Sequence, residues 1–138
     1  SSSTGNFAHP QFPKFEDFGE ILIHGDKGRG YIRVDWYTPD ALPNWGDGRL
    51  TIIGTEGYIE LRKYVDVVGR DGTDHIFLVN KEKYEYINAS SKPLTYFQRL
   101  MNDVIERTST AMQQDHCLKV MNLAINAQLN AKKMGNLK

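Results

Sequence analysis

The chain has 138 residues, enough for one domain with an apolar core of its own, and its 40% hydrophobic and 25% charged content excludes a disordered chain. Its 17 Lys and Arg balance 17 Asp and Glu with no run of like charge, so nothing argues for nucleic acid or an acidic membrane surface as partner. The single cysteine, Cys117, excludes an internal disulfide, no Cys/His spacing suits zinc, and no apolar run approaches the roughly 20 residues of a membrane span; together these suit a cytoplasmic protein.

Residues 1–15, rich in Ser and Pro with scattered aromatics, read as a surface segment ordered in part by Phe7, Phe12 and Phe15. Phe18–His24 reads as a strand with Ile21 and Ile23 on one face. The turn cluster Gly25–Gly30 leads into a second strand, Tyr31–Thr38. There Ile32, Val34 and Trp36 share one side, and Tyr31, Arg33, Asp35 and Tyr37 the other. Pro39–Gly48 is a loop. Arg49–Thr55 and Tyr58–Asp66 make a hairpin around Gly54-Thr55-Glu56-Gly57, and His75–Asn80 with Tyr84–Asn88 makes the last one. Short strands joined mostly by hairpins predict a mainly antiparallel, open twisted sheet of about six strands.

The period then changes. Leu94, Phe97, Leu100, Met101, Val104 and Ile105 follow one helical face, with Thr95 to Gln98 as a capping box. A second helix runs from about Asp115 to Met134, with Leu118, Met121, Ile125 and Leu129 along one side and Gly135 as its C′ residue. Strands followed by helices predict an α+β fold, residues 1–138 forming one domain with both C-terminal helices on one sheet face.

No G-x-G-x-x-G opens a helix after a strand, and no phosphate-binding P-loop is present, so this chain by itself is expected to bind no nucleotide cofactor. The segment from Asp35 to Arg49 gathers both tryptophans, three aspartates (Asp35, Asp40 and Asp47) and an arginine. Trp45, Asp47 and Arg49, with Trp36, would suit one wall of a polyol or sugar pocket, because carboxylate and guanidinium bond hydroxyls and an indole stacks on a ring's apolar face. The plainer reading packs Trp36 in the core and leaves Asp47-Gly48 as a turn. His116, in the first turn of the last helix, is a further candidate for a cleft. His24 and His75 read as strand positions on the solvated face, and Glu16, Asp17 and Glu20 as a solvated charge cluster at a strand entry.

Four ordered stretches carry a resemblance: Phe15-Glu16-Asp17-Phe18-Gly19, Asp35-Trp36-x-Thr38-Pro39-Asp40, Trp45-Gly46-Asp47-Gly48-Arg49, and Gly54-Thr55-x-Gly57 running on through Tyr58 to Tyr64. With the tail from Arg107 to Ala131, they resemble the C-terminal domain of the Gfo/Idh/MocA oxidoreductases, the family of glucose-fructose oxidoreductase and inositol dehydrogenase. The resemblance implies a two-domain enzyme whose N-terminal Rossmann domain, absent from this chain, binds NAD or NADP. It also implies a catalytic lysine in a Glu-Lys-Pro motif and a histidine in an Asp-x-x-x-His helix. This sequence contains none of these, so no catalytic residue and no cofactor ligand is carried over, and the chain alone is expected to be inactive. What the resemblance leaves to it is a wall of the substrate cleft and a sheet-mediated interface of a homodimer or larger oligomer. The competing reading is a non-enzymatic sheet domain that binds a carbohydrate or a partner protein.

Overall fold

The structure, a computed structural model, describes residues 1–135. In chain order the elements are β1 (Ser2–Gly5), β2 (Phe18–His24), β3 (Arg29–Asp35), β4 (Gly48–Gly54), β5 (Gly57–Lys63), β6 (Asp74–Asn80), β7 (Tyr84–Asn88), α1 (Tyr96–Glu106), α2 (Gln114–Leu129) and β8 (Lys132–Met134). They form two compact units: Ser1–Tyr37 together with the segment from Thr95 onward, and Thr38–Leu94. The fold is α+β and mostly antiparallel, but among the described residues eight strands in two four-stranded sheets replace the expected single sheet of about six.

The sheet of the first unit runs β3-β2-β1-β8. Its hairpin β2–β3 closes through a bond from the Gly25 amide to the Gly28 carbonyl, 3.0 Å, and sets Glu20 opposite Arg33. β1 is an interior strand, antiparallel to β2 and parallel to β8, and Ser3 and Thr4 are buried. The expected surface segment is thus a strand at its first residues. Ser-Ser-Thr-Gly has no hydrophobic alternation to announce it; its small side chains fit between two neighbours, and its polar atoms are taken up locally. Ser2 Oγ donates to the Ala127 carbonyl of α2, 2.7 Å, and Ser3 Oγ donates to Glu20, 2.6 Å.

The second helix also ends earlier than its sequence suggests. α2 stops at Leu129, and Lys132–Met134 form β8 rather than a last helical turn, leaving Gly135 beyond a strand. At α1 the capping box does not form: Thr95 has helical dihedrals and no side-chain cap bond, while Gln98 bonds Asn102 instead. A capping residue needs extended dihedrals to aim its hydroxyl at the helix amides, and Thr95 lacks them. The other end of α1 is well made. Asp103 accepts bonds from the hydroxyls of Thr108 and Thr110 and from the amides of Thr110 and Ala111.

The second unit is a meander, β4-β5-β6-β7, with every pair antiparallel. Its first turn has two residues, Thr55 and Glu56, between paired Gly54 and Gly57. Gly57, at φ 154°, has no room for a side chain, since a Cβ would stand 2.2 Å from the Val79 carbonyl oxygen. At the far hairpin Asn80 Oδ1 accepts the amides of Glu82 and Lys83, an Asx turn. Period two then sorts the faces. Leu50, Ile52, Ile59, Leu61, Ile76, Leu78 and Ile87 share one, and Arg49, Glu60, Arg62, His75, Phe77 and Tyr86 share the other.

No apolar residue among those described is buried, contrary to the core that the length allows. Leu50 and Ile52 remain 53% exposed, and α2 buries no residue. The total accessible surface is 11489 Å². Two separate compact bodies sharing this mass would expose only about 8,800 Å² between them. At least roughly 2,000–3,000 Å² of surface is therefore in excess.

Candidate functional site

The charged face of the second unit holds two of the residues singled out in the sequence. Asp47 precedes β4 and Arg49 is its second residue, two positions on. The spacing lets Arg49 Nε reach back to Asp47 Oδ2 at 3.0 Å. The bond and charge of Asp47 hold the Arg49 guanidinium further toward its protonated form, with Glu60 adding to the effect. Across the ladder Arg49 lies directly opposite Arg62, a like-charge pair that by itself disfavours the sheet. Arg62 is offset in turn by Glu60, whose Oε1 accepts from its Nε at 2.8 Å. Asp47–Arg49 and Glu60–Arg62 thus form two ion pairs whose arginines stand opposite each other across the ladder, with Arg49 more than half exposed. Side-by-side fixed donors and acceptors of this kind suit a ligand rich in hydroxyl groups.

The remaining candidates fall elsewhere. Trp45 is 81% exposed in the segment leading to β4. Trp36 belongs to the first unit. It follows β3 rather than lying within it, packs edge-on against Phe15 at 5.7 Å, and is exposed rather than set in a core. His116 is exposed in the first turn of α2, also in the first unit. Asp47 and Arg49 are joined by a direct bond. Among the described residues no group of His, Cys, Asp and Glu could hold a metal ion. Neither of the described helices begins at a glycine turn after a strand.

Two residues read as solvated are fully buried. Asp17 accepts the amides of Phe7 (2.9 Å) and Ala8 (2.8 Å), the Tyr37 hydroxyl (3.0 Å) and His9 Nδ1 (2.8 Å). Burial alone would raise its pKa, but these donors outweigh it and hold the carboxyl well below its ordinary range. The same contact, on top of burial, pushes the Tyr37 hydroxyl up to about 12. His75 lies between the Tyr86 hydroxyl (2.8 Å from Nδ1) and the Gly72 carbonyl (3.1 Å from Nε2). The carbonyl can only accept, so Nε2 carries the proton and Nδ1 accepts from Tyr86. Above them Arg70 stacks 4.6 Å from the Tyr86 ring, tied by Nη1 to the buried Asp66 at 2.8 Å. These residues fix loops rather than present chemistry. Period two puts both His75 and Arg49 on the same face; what buries one and not the other is the loop 64–73, which no periodicity reveals.

No helix among the described residues is long and apolar enough to cross a membrane. No family model matches the chain, and no curated protein matches it. Among solved structures it is similar to one from Erwinia carotovora atroseptica SCRI1043 described as a "putative oxidoreductase", with 46% sequence identity and a TM-score of 0.90. The match covers 97% of this chain but 40% of that one. Nearly the whole of this chain therefore corresponds to less than half of that protein.

Proposed function

We propose that the chain is the substrate-wall and subunit-interface region of an NAD- or NADP-dependent oxidoreductase of the Gfo/Idh/MocA kind, acting on the CH–OH group of a sugar or polyol. The observation that carries the reading is the 46% identity along 97% of the chain to part of a protein described as an oxidoreductase. The four motif stretches and the Asp47–Arg49 and Glu60–Arg62 ion pairs support it. In this reading the dinucleotide and the proton-transferring groups belong to sequence outside these residues, and no step of the reaction is assigned to them. Trp45, Asp47 and Arg49 would face the substrate. The excess apolar surface is covered by the rest of the enzyme and by a second copy.

The test is to assay the complete gene product with NAD and NADP against a panel of sugars and inositols. Substrate-dependent formation of reduced dinucleotide is expected, and none with any member of the panel would overturn the proposal.

A further inference from the structure

We propose that the first unit carries a second binding site, for a ring-shaped polyol, distinct from the Asp47–Arg49 pair. An open cleft of about 380 Å³ lies over the β2–β3 hairpin, lined by Phe7, Phe18, Glu20, Arg33, Tyr37 and Met134. This volume lies at the small end of the range for ligand pockets, suited to a single ring.

The lining is held in place. Buried Asp17 binds the Phe7 amide, the adjoining Ala8 amide and the Tyr37 hydroxyl, tying two sides of the cleft to one carboxylate. The Phe7 ring sits against two glycines. A Cβ on Gly5 would stand 2.7 Å from Phe7 Cε2, and one on Gly135, whose φ is 73°, would stand 3.0 Å from Cε1. Phe7 also meets Phe18 edge to face at 5.6 Å.

The two polar residues are partnered away from each other. Glu20 and Arg33 are opposite in the β2–β3 register. Yet Glu20 accepts from Ser3 and Tyr31, while Arg33 Nε donates to Asp35 at 2.6 Å. Arg33 is held with its guanidinium 5.5 Å from the Phe18 ring and 5.9 Å from the Tyr37 ring. Among the described residues its terminal Nη groups have no acceptor. A fixed donor therefore stands beside a fixed acceptor with spare lone pairs. Adjacent hydroxyls match that pair: one accepts from Arg33 and the other donates to Glu20. The apolar face of the ring then rests on Phe7 and Met134, each 40% exposed. Phosphate and carboxylate ligands fit less well, because Glu20 and Asp35 outnumber Arg33. An extended peptide could add as a strand only at the outer edge of β3 or β8, not at β2, which is paired on both sides.

The proposal does not rest on the redox reading, and its test uses no dinucleotide. The full chain is titrated with myo-inositol and glucose while backbone amide resonances are followed by NMR. Saturable shifts centred on Phe7, Glu20 and Arg33 are expected, with a Kd of about 1 mM. Arg33→Lys and Glu20→Gln should each weaken binding about tenfold, and acyclic sorbitol should bind about tenfold more weakly than inositol. No saturation by about 100 mM, shifts centred elsewhere, equal binding of sorbitol, or affinity indifferent to both substitutions would each overturn it. The map is made on the unsubstituted chain, so a variant that fails to fold leaves the test intact.

Discussion

At the scale of single residues, the fully buried polar groups matter more to stability than the charged residues on the surface. Asp17 titrates in the folded state below its unfolded value of about 3.9. The stability it contributes is complete above that value and is lost as pH falls toward the lower folded one. Asp66 and Asp103 are depressed in the same direction, by amide and hydroxyl donors and, for Asp66, by Arg70. Acid unfolding is therefore expected to begin below about pH 4. Asp17→Asn should lower Tm by about 5 °C or more at pH 7 and flatten the melting curve's dependence on pH between about 4 and 2. An equally steep acid limb in the variant would remove Asp17 from the account. Tyr86→Phe leaves His75 Nδ1 buried without its donor and should cost about 1–3 kcal/mol in a denaturant titration. Arg49 belongs to the other class. On the proposed function, Arg49→Ala in the complete gene product should raise KM or lower kcat roughly tenfold or more while Tm moves little. A change in Tm alone would make Arg49 a structural residue. From the sequence, Asp47 and Arg49 were legible as a pair because they are two positions apart. Burial of Asp17 was not, since its donors come from a loop ten residues earlier and a tyrosine twenty residues later.

At the scale of elements, hairpins were the most readable part of the chain. β2 and β7 begin and end where their patterns place them, because turn residues close by on the chain bound them. β1 and β8 were not readable. Four small polar or glycine residues and a Lys-Lys-Met run become strands only by pairing with each other across the length of the chain. The helix signals were half right. The period of α1 is present, but its apparent capping box is not, and the end that is anchored lies at Asp103. Thr95→Ala is therefore expected to shift Tm by less than about 2 °C, whereas Asp103→Ala should lower it by about 5 °C or more. Equal losses from the two would restore a capping role to Thr95.

For the whole molecule, the governing observation is surface. A chain whose aliphatic sheet face, with Leu50 and Ile52, stands half exposed is a chain made to be covered. Sedimentation at micromolar concentration is expected to show a dimer or larger species, burying more than about 1,000 Å² per interface. A clean monomer near 15.8 kDa would contradict this. Calorimetry of residues 1–138 with NAD(H) is expected to show no binding, and micromolar affinity would require a phosphate seat of a kind absent from the described helices.

The parallel pairing of β1 with β8 also sets a timetable. Thr4 and Lys133 are bonded to each other at 129 positions' separation. During synthesis at about 5–20 residues per second, β1 leaves the ribosome roughly 6–26 s before its neighbour exists. In that interval β1 can pair with β2 on one side only, and its other edge is open to any strand nearby. The sheet is completed only once β8 has been made, so its closure is a long-range event of the slow kind.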